Sequence, residues 1–456
     1  MEENKMGVMP VNKLIINMSL PMIISMLVQA LYNIVDSIFV AMVDEQALTA
    51  VSVSFPAQNL MIGVATGTAV GVNALVSRSL GEKNFDKANR ISENGVFLAL
   101  LSSIVFMLFG FFGSRAFIAS QTSVPQIIEY GTQYLTIACG ISFGIFFEII
   151  FERLLQSTGR TFYTMITQGV GAILNIIFDP IFIFVFKMGV RGAAIATVLG
   201  QIVAAILAII FNIRKNPEIK LKIKGFRPDG KIIGAIYKIG VPSILMVAIG
   251  SVMTYCMNKI LVAYTTGKET AVTVFGAFFK LNSFICMPIF GLNNGIIPII
   301  AYNYGAKKKD RMLKAVKLST IYAGAFSIIG AALFICIPKT LLGFFSASDR
   351  MLEIGIPALR IVGTSFIFAG ICIALGAAFQ ALGKSIFSMI VSLIRQIVVL
   401  TPAAFLLARY GLKIGNDNLV WFSYPIAEIF SLAVSVICFI YLYKTVIRNV
   451  DNKYAP

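Results

Sequence analysis

The sequence predicts an all-α polytopic membrane protein: twelve transmembrane helices in two pseudo-symmetric six-helix lobes. Three observations carry that prediction. Hydrophobic residues make up 58% of the 456-residue chain and charged residues only 13%, with a mean hydropathy of +0.86, whereas soluble domains carry roughly 25% charged residues. Apolar runs recur at the length of a spanning helix, about 20 residues, and not as the alternating stretches of about 10 that build a barrel. The second half of the chain repeats the first, as described below.

At about 1.5 Å rise per residue, the runs place helices near 14–43, 47–79, 91–114, 129–156, 160–186, 191–213, 232–265, 269–304, 313–338, 352–380, 384–408 and 417–443, numbered 1 to 12. The opening MEENKMGVMPVNK mixes both charge signs and leads into an apolar run much longer than a signal-peptide core. No A-x-A-like cleavage site follows it, so it is expected to be a retained tail. Basic residues gather in alternate loops: Arg78, Lys83, Lys87 and Arg90; Arg153 and Arg160; seven between Arg214 and Lys231; six between Lys307 and Lys317; and Lys444 with Arg448. The net charge of +17 therefore reflects topology and attraction to anionic headgroups, not nucleic-acid binding. By the positive-inside rule both termini are expected on the cytoplasmic side of the cell membrane.

The repeat is visible in three alignments. Residues 19–43 sit over 240–264 with Pro21 over Pro242, 70–84 over 294–308, and 154–166 over 378–390. An even number of helices per copy gives both copies the same orientation, and parallel repeats of this kind are a transporter signature with the substrate site between the halves. The expected division is an N-terminal lobe over 1–213, a charged linker over 214–231 and a C-terminal lobe with a short tail over 232–456. The copies differ in buried charge: Asp36 aligns with Met257 and Asp179 with Ala403, while Lys259, Lys280 and Arg395 align with Ile38, Pro56 and Gly171. Anionic chemistry is thus expected in the first half alone.

Composition also excludes. The chain has no histidine, which removes imidazole proton relays, histidine metal sites and histidine-dependent triads. Its six cysteines lie in apolar segments without C-x-x-C spacing and are expected to be buried small hydrophobes. With no nucleotide motif and no acid cluster at a membrane face, an enzyme is disfavoured and no cofactor is expected.

Proton handling then falls to carboxylates, and an acid inside a membrane helix is a functional-site hypothesis in need of a partner. Asp36 lies about 7 residues before the outer end of helix 1, roughly 10 Å below that rim, and Asp179 lies at the same depth in helix 5. Thr197 of helix 6 sits roughly 9 Å below the same rim. Asn175 is one turn below Asp179, Tyr32 one turn below Asp36, and Gln201 one turn beyond Thr197, each on the same helix face as its neighbour. Two facing carboxylates cannot both stay ionised in a low-dielectric pocket, so they can bind and release a proton. The same oxygens could instead hold Na⁺.

These residues, together with LP leading into YNIVDSIFV, SRSLGEKNFDKA after helix 2, the Gly-Arg turn before helix 5, LNIIFDPIFIF followed by GVRGAAIATVLGQ, and IPIIAYNYGAK after helix 8, give a chain that resembles the multidrug and toxic compound extrusion (MATE) antiporters over essentially its whole length. Within that family it resembles the DinF/MepA-like branch. The resemblance implies two six-helix lobes around a central cleft and drug efflux driven by H⁺ or Na⁺. It implies that Asp36, Asn175, Asp179 and Thr197, with Tyr32, form the cation-coupling pocket, and that Pro21 is a flex point in helix 1. The acids that the NorM-like branch carries on helices 7 and 10 are absent, which favours coupling in the first lobe.

Other intramembrane polar groups remain. Glu148 and Glu152, one turn apart on helix 4, would either pair with Arg153 or a neighbouring helix near the inner rim, or one of them would line an inward-facing cavity that attracts organic cations. Arg395, near the middle of helix 11, is expected to brace the second lobe through an ion pair or to meet substrate, and Lys280 is treated likewise. Lys259 could snorkel to the outer rim. The function expected is cation-coupled export of small amphipathic, mainly cationic compounds by alternating access, with lipid as the other partner and the chain as a monomer. The alternative is a flippase for a lipid-linked saccharide, which would need a strongly cationic cavity.

Overall fold

Inside a bilayer every backbone N–H and C=O must be paired within the chain, and this sequence meets that constraint with helices alone. The computed structural model describes residues 4–222, 224–266, 268–345 and 347–450, with only the backbone of Glu45, Lys268 and Glu269, and shows no strand among them. The outer ends of the expected terminal tails, 1–3 and 451–456, lie outside the described residues. Helix 1 spans Val11–Ala41, helix 2 Glu45–Gly81 and helix 3 Phe85–Phe112. Helix 5 spans Thr161–Pro180 and continues as a wider π turn, Ile181–Val185; helix 6 spans Val190–Lys215. Helices 7, 8 and 9 are Gly230–Tyr264, Lys268–Gly305 and Lys309–Cys336. Helix 11 runs Ser385–Leu393, a π segment Ile394–Leu400, then Thr401–Ile414, and helix 12 is Ser423–Leu442 after a 3₁₀ turn.

Helices 4 and 10 were expected to be continuous and are not. Helix 4 is Pro125–Gly140 followed by Phe143–Ser157, bent by 43°, and helix 10 is Asp349–Gly363 followed by Phe366–Ala381, bent by 50°. Ten helices are each long and apolar enough to span, and the two bent pairs bring the number to twelve. Both breaks fall within G-x-S-F, at Gly140-Ile141-Ser142-Phe143 and Gly363-Thr364-Ser365-Phe366. The serine hydroxyls satisfy carbonyls near the break, Ser142 donating to Ser103 O (3.0 Å) and Ser365 to Val362 O (2.6 Å). The repeat is written in the backbone as well: left-handed turns recur at one fixed spacing, Lys83 with Lys307 and Gly159 with Gly383.

The two halves meet through helices 1 and 2 of the first and helices 7 and 8 of the second. Small residues let membrane helices approach closely, and here the approach is extreme on the face that carries both chain ends. A Cβ on Gly81 would lie 2.0 Å from Tyr302 O, and one on Gly305 would lie 2.1 Å from Arg78 O. Farther along helix 2 the Gly63 position is only in ordinary contact with Val247, at 3.6 Å, and toward the opposite face Leu31, Ile34, Leu60, Val252 and Tyr255 are exposed. The halves are therefore closed at the terminal face and part toward the other.

Polar contacts reinforce the closed face. The short helix Lys5–Val8 ahead of helix 1 is gripped by the second half, with Asn303 Nδ2 donating to Met6 O (3.0 Å) and Arg311 Nη2 to Met9 O (2.6 Å). On the other side Asn4 Nδ2 donates to Thr158 O (3.0 Å) and to Glu218 Oε1 (2.8 Å). The connection between the halves is pinned along helix 3, where Asn89, Glu93 and Asn94 accept from the amides of Lys220, Lys222 and Asp229.

Placing a branched side chain at the tightest crossing should wedge the closed face open. Gly305→Val is expected to weaken closure by about 1–3 kcal/mol, the usual cost of overpacking. Spin labels at the exposed residues 87 and 317, in a background without the native cysteines, should then show a longer population of distances; an unchanged distribution would mean that this crossing does not hold the face shut.

Candidate functional site

Helices 5 and 6 cross where neither has a side chain. A Cβ on Gly200 would lie 2.7 Å from Gly171 O, and one on Gly171 would lie 3.2 Å from Gly200 O. This crossing brings the next turn of each helix into contact. The Asn175 amide lies between Asp179 and Thr197; with its oxygen and nitrogen assigned so that both neighbours are satisfied, Nδ2 donates to Asp179 Oδ2 (3.2 Å) and Oδ1 accepts from the hydroxyl and the backbone amide of Thr197 (both 3.2 Å). Pro180 follows directly. Its missing N–H and its ring disfavour an ordinary α turn, and the helix widens into the π turn at Ile181–Val185, a local geometry frequent at functional sites.

Asp179 is fully buried, and its carboxyl group lies within hydrogen-bonding reach of Asp36 on helix 1. The other Asp36 oxygen, Oδ1, is buried without a hydrogen-bond partner. Helix 1 runs unbroken through the buried Pro21, whose carbonyl accepts from Ser25 Oγ (3.0 Å). Tyr32, one turn below Asp36, sits beside Gln29 and Glu148. The structure thus brings together five of the residues singled out by depth: Asp36, Asp179, Asn175, Thr197 and Tyr32. Two more belong with them. Tyr134 of helix 4 is buried close to both acids and accepts from Gln58 Nε2 (3.2 Å). The depth count covered helices 1, 5 and 6 and left out helices 2 and 4, which carry this pair.

A cavity of about 140 Å³ runs from this cluster toward the terminal face within the first half, lined by Tyr32, Asn175, Thr197, Gln201, Glu148 and Glu152 among others. Glu152 is buried and held at both oxygens, by Thr167 Oγ1 (2.6 Å) and Gln168 Nε2 (2.7 Å). Of the two partners expected for these glutamates, the neighbouring helix 5 holds Glu152, whereas Arg153 bonds to neither, because successive residues on a helix face different directions. Arg153 turns instead to Gln156 Oε1 (2.8 Å) and, across the boundary between halves, to Asn294 Oδ1 (2.9 Å). That bond closes the end of the cavity.

In the second half, Arg395 lies in the π segment of helix 11 and pairs with Glu428 of helix 12 at 3.4 Å. Glu428 corrects the expectation that buried anionic chemistry stops at the first half: it is only 8% exposed, and YPIAEIF was legible as an acid in an apolar run. Lys280 and Lys259 are exposed, Lys259 with its Nζ 5.7 Å from the Tyr255 ring, and neither lines the acidic cavity. Of the six cysteines expected to be buried, Cys139, Cys372 and Cys438 are; Cys256 and Cys286 are half-buried, and Cys336 is exposed at the end of helix 9. Among the described residues no three His, Cys, Asp or Glu side chains converge as a metal site.

Two six-helix halves joined at one membrane face, with ionisable groups held between helices near the cleft, give the architecture of a transporter built from parallel repeats. Comparison with known families agrees and is specific: the MatE family model matches the chain twice, over residues 21–181 and 242–406, and the chain belongs to that family, a family of transporters and not of enzymes. It is 27% identical over 421 residues to the multidrug export protein MepA of Staphylococcus aureus strain MRSA252, covering 92% of this chain and 91% of that protein. It is 27% identical over 425 residues to MepA of Staphylococcus saprophyticus, covering 92% of each. Among solved structures, one described as the outward-facing conformation of a multidrug resistance MATE family transporter of the MOP superfamily superposes with a TM-score of 0.90 at 22% identity, over 99% of both chains.

Glu428 and Arg395 should behave as a neutral pair. Removing one partner strands a buried charge and typically costs 3–5 kcal/mol, while replacing both by apolar residues is near neutral. Glu428→Gln should lower the melting temperature in detergent, and the double variant Arg395→Met/Glu428→Leu should recover most of the loss.

Proposed function

We propose that the protein is a cation-coupled antiporter of the cell membrane that exports small amphipathic, mainly cationic compounds by alternating access. The observation that carries this reading is the Asp36 Oδ1 atom, buried without a partner beside a second carboxyl group. Two carboxyl groups in contact hold a shared proton or a cation between them, and an unpaired buried acceptor is costly. Uptake of H⁺ or Na⁺ at Asp36 and Asp179 changes the charge of the pocket, and so changes which arrangement of the halves is favoured. Asn175 and Thr197 orient Asp179, Tyr32 separates the pair from the cavity below, and Pro21 gives helix 1 a place to bend.

The basic loops lie on the closed terminal face, and the positive-inside rule supports a cytoplasmic side for it; on that reading the cleft described above opens outward. Glu152, a carboxylate held in the cavity wall by Thr167 and Gln168, makes the cavity attractive to organic cations arriving from the cytoplasmic side. The relatives named as multidrug export proteins fit the same reading. A carrier of lipid-linked saccharide would need a cationic cavity; here Arg153 is the one cation against two glutamates in the lining, and Arg395 is neutralised by Glu428.

The test is ethidium efflux from proteoliposomes under separately imposed pH and Na⁺ gradients. Wild type should expel the dye when one of the two ions is supplied at higher concentration outside, and dissipating that gradient should stop it. Asp36→Asn and Asp179→Asn should each reduce gradient-driven efflux to the level of empty vesicles; efflux that survives both substitutions would overturn the coupling site.

A further inference from the structure

The coupling pair does not stand alone in the first half. The cavity that begins under Asn175, Thr197 and Tyr32 ends at a second pair of acids, Glu148 and Glu152, one helical turn apart. These two are held very differently. Glu152 accepts hydrogen bonds at both oxygens from Thr167 and Gln168, an arrangement that fixes a carboxylate in place. Glu148 accepts none among the described residues, although its side chain is half-buried and borders the cavity. The ionisable groups around it are Glu152 on its own helix and Tyr32 on helix 1. Arg153 is the one cation in the lining and turns to Gln156 and Asn294; the remaining polar side chains there, from helices 1, 2, 4, 5, 6 and 8, carry no charge.

We propose that Glu148 is a proton relay between the Asp36/Asp179 pair and the cytoplasmic face, and that the coupling ion is the proton. This rests on the antiport reading above and names the ion and its inner station. The cavity has room for a few waters at about 30 Å³ each. A proton leaves the carboxyl O–H of the Asp36/Asp179 pair for the hydroxyl oxygen of Tyr32, which stands between the pair and the cavity; Tyr32 gives its own proton to those waters, and the last water protonates a carboxylate oxygen of Glu148. One acid becomes a carboxylate and one carboxylate becomes an acid, so the charge of the cavity is conserved. Glu148 is free to accept because no donor holds its oxygens, whereas Glu152 is already engaged. Release to the cytoplasm waits on the Arg153–Asn294 bond, which in the arrangement seen here closes that end. Asn175 lies between Asp179 and Thr197 and, with its amide assigned to satisfy both neighbours, donates to the acid and holds it in place as the proton leaves.

The experiment compares wild type with Glu148→Gln and Glu148→Asp in proteoliposomes, by two readouts on the same vesicles. One is ethidium efflux driven by a pH gradient; the other is ethidium counterflow at equal pH on both sides, which needs substrate binding and lobe exchange but no net proton transit. Glu148→Gln should lose at least about tenfold in gradient-driven efflux, or 1.4 kcal/mol, with counterflow within twofold of wild type, and Glu148→Asp should restore much of the efflux. Unchanged efflux in Glu148→Gln would overturn the relay. Parallel loss of efflux and counterflow in both variants, with normal elution and melting temperature, would overturn it in favour of a substrate contact, and efflux driven by Na⁺ alone would overturn it as well. Failure of the coupling site itself would show differently, as gradient-driven efflux that persists in Asp36→Asn and Asp179→Asn.

Discussion

Two carboxyl groups placed in contact inside a membrane set the conditions that the rest of the first half must satisfy. Each ion taken out of water costs several kcal/mol even after relaxation, and two like charges side by side add to that cost. The chain offsets it with a cluster that no single helix could build. Gly171 and Gly200 bring helices 5 and 6 within backbone contact, and Asn175 bridges Asp179 to Thr197 one turn away. Pro180 then turns the end of helix 5 into a wider coil. What this scaffold leaves unsatisfied is the Asp36 oxygen, on the helix from the other side of the pocket.

The second half answers the same problem in the opposite way. Its buried acid, Glu428, meets Arg395 directly, so its charges cancel without an exchangeable ion. The position equivalent to Asp36 is Met257, fully buried among hydrophobic residues. Asp36 and Glu428 each keep one buried oxygen without a hydrogen-bond partner, but Asp36 faces a second acid and Glu428 a guanidinium, so net charge can change with an ion in the first half alone. The second half then serves as a rigid counterpart, against which helices 1 and 2 close through the Gly81 and Gly305 crossings and the Arg153–Asn294 bond.

Much of this was legible because depth along a membrane helix is a count of residues. Counting placed Asp36, Asp179 and Thr197 at one level, and the structure has Asp36 and Thr197 each beside Asp179 or its bridge, Asn175. The breaks in helices 4 and 10 escaped, since Gly-x-Ser-Phe inside an apolar run looks like uninterrupted helix; only its recurrence in both halves marks it. Glu428 escaped for a different reason: the alignment of copies compared aspartates with their counterparts and did not extend to helix 12. That Glu152 is fixed while Glu148 is free could not be read at all. Both lie on one face of one helix, and the difference comes from Thr167 and Gln168 on a neighbouring helix.

An ion can shift the halves only by as much as it prefers one arrangement over the other. Moving a population from 1:99 to 99:1 requires about 5.5 kcal/mol of differential binding. The cost of a buried uncompensated carboxylate is several kcal/mol, so neutralising one acid is of the required size and a second ion is not needed. The contacts that oppose the shift are of the same order. One interlobe hydrogen bond from a guanidinium contributes about 1.5–3 kcal/mol, and the close glycine crossings add packing that is lost all at once when the face opens. A single exchangeable charge at Asp36 and Asp179 is therefore balanced against a closed face held by few, discrete contacts, and a balance of that kind gives two arrangements instead of a continuum.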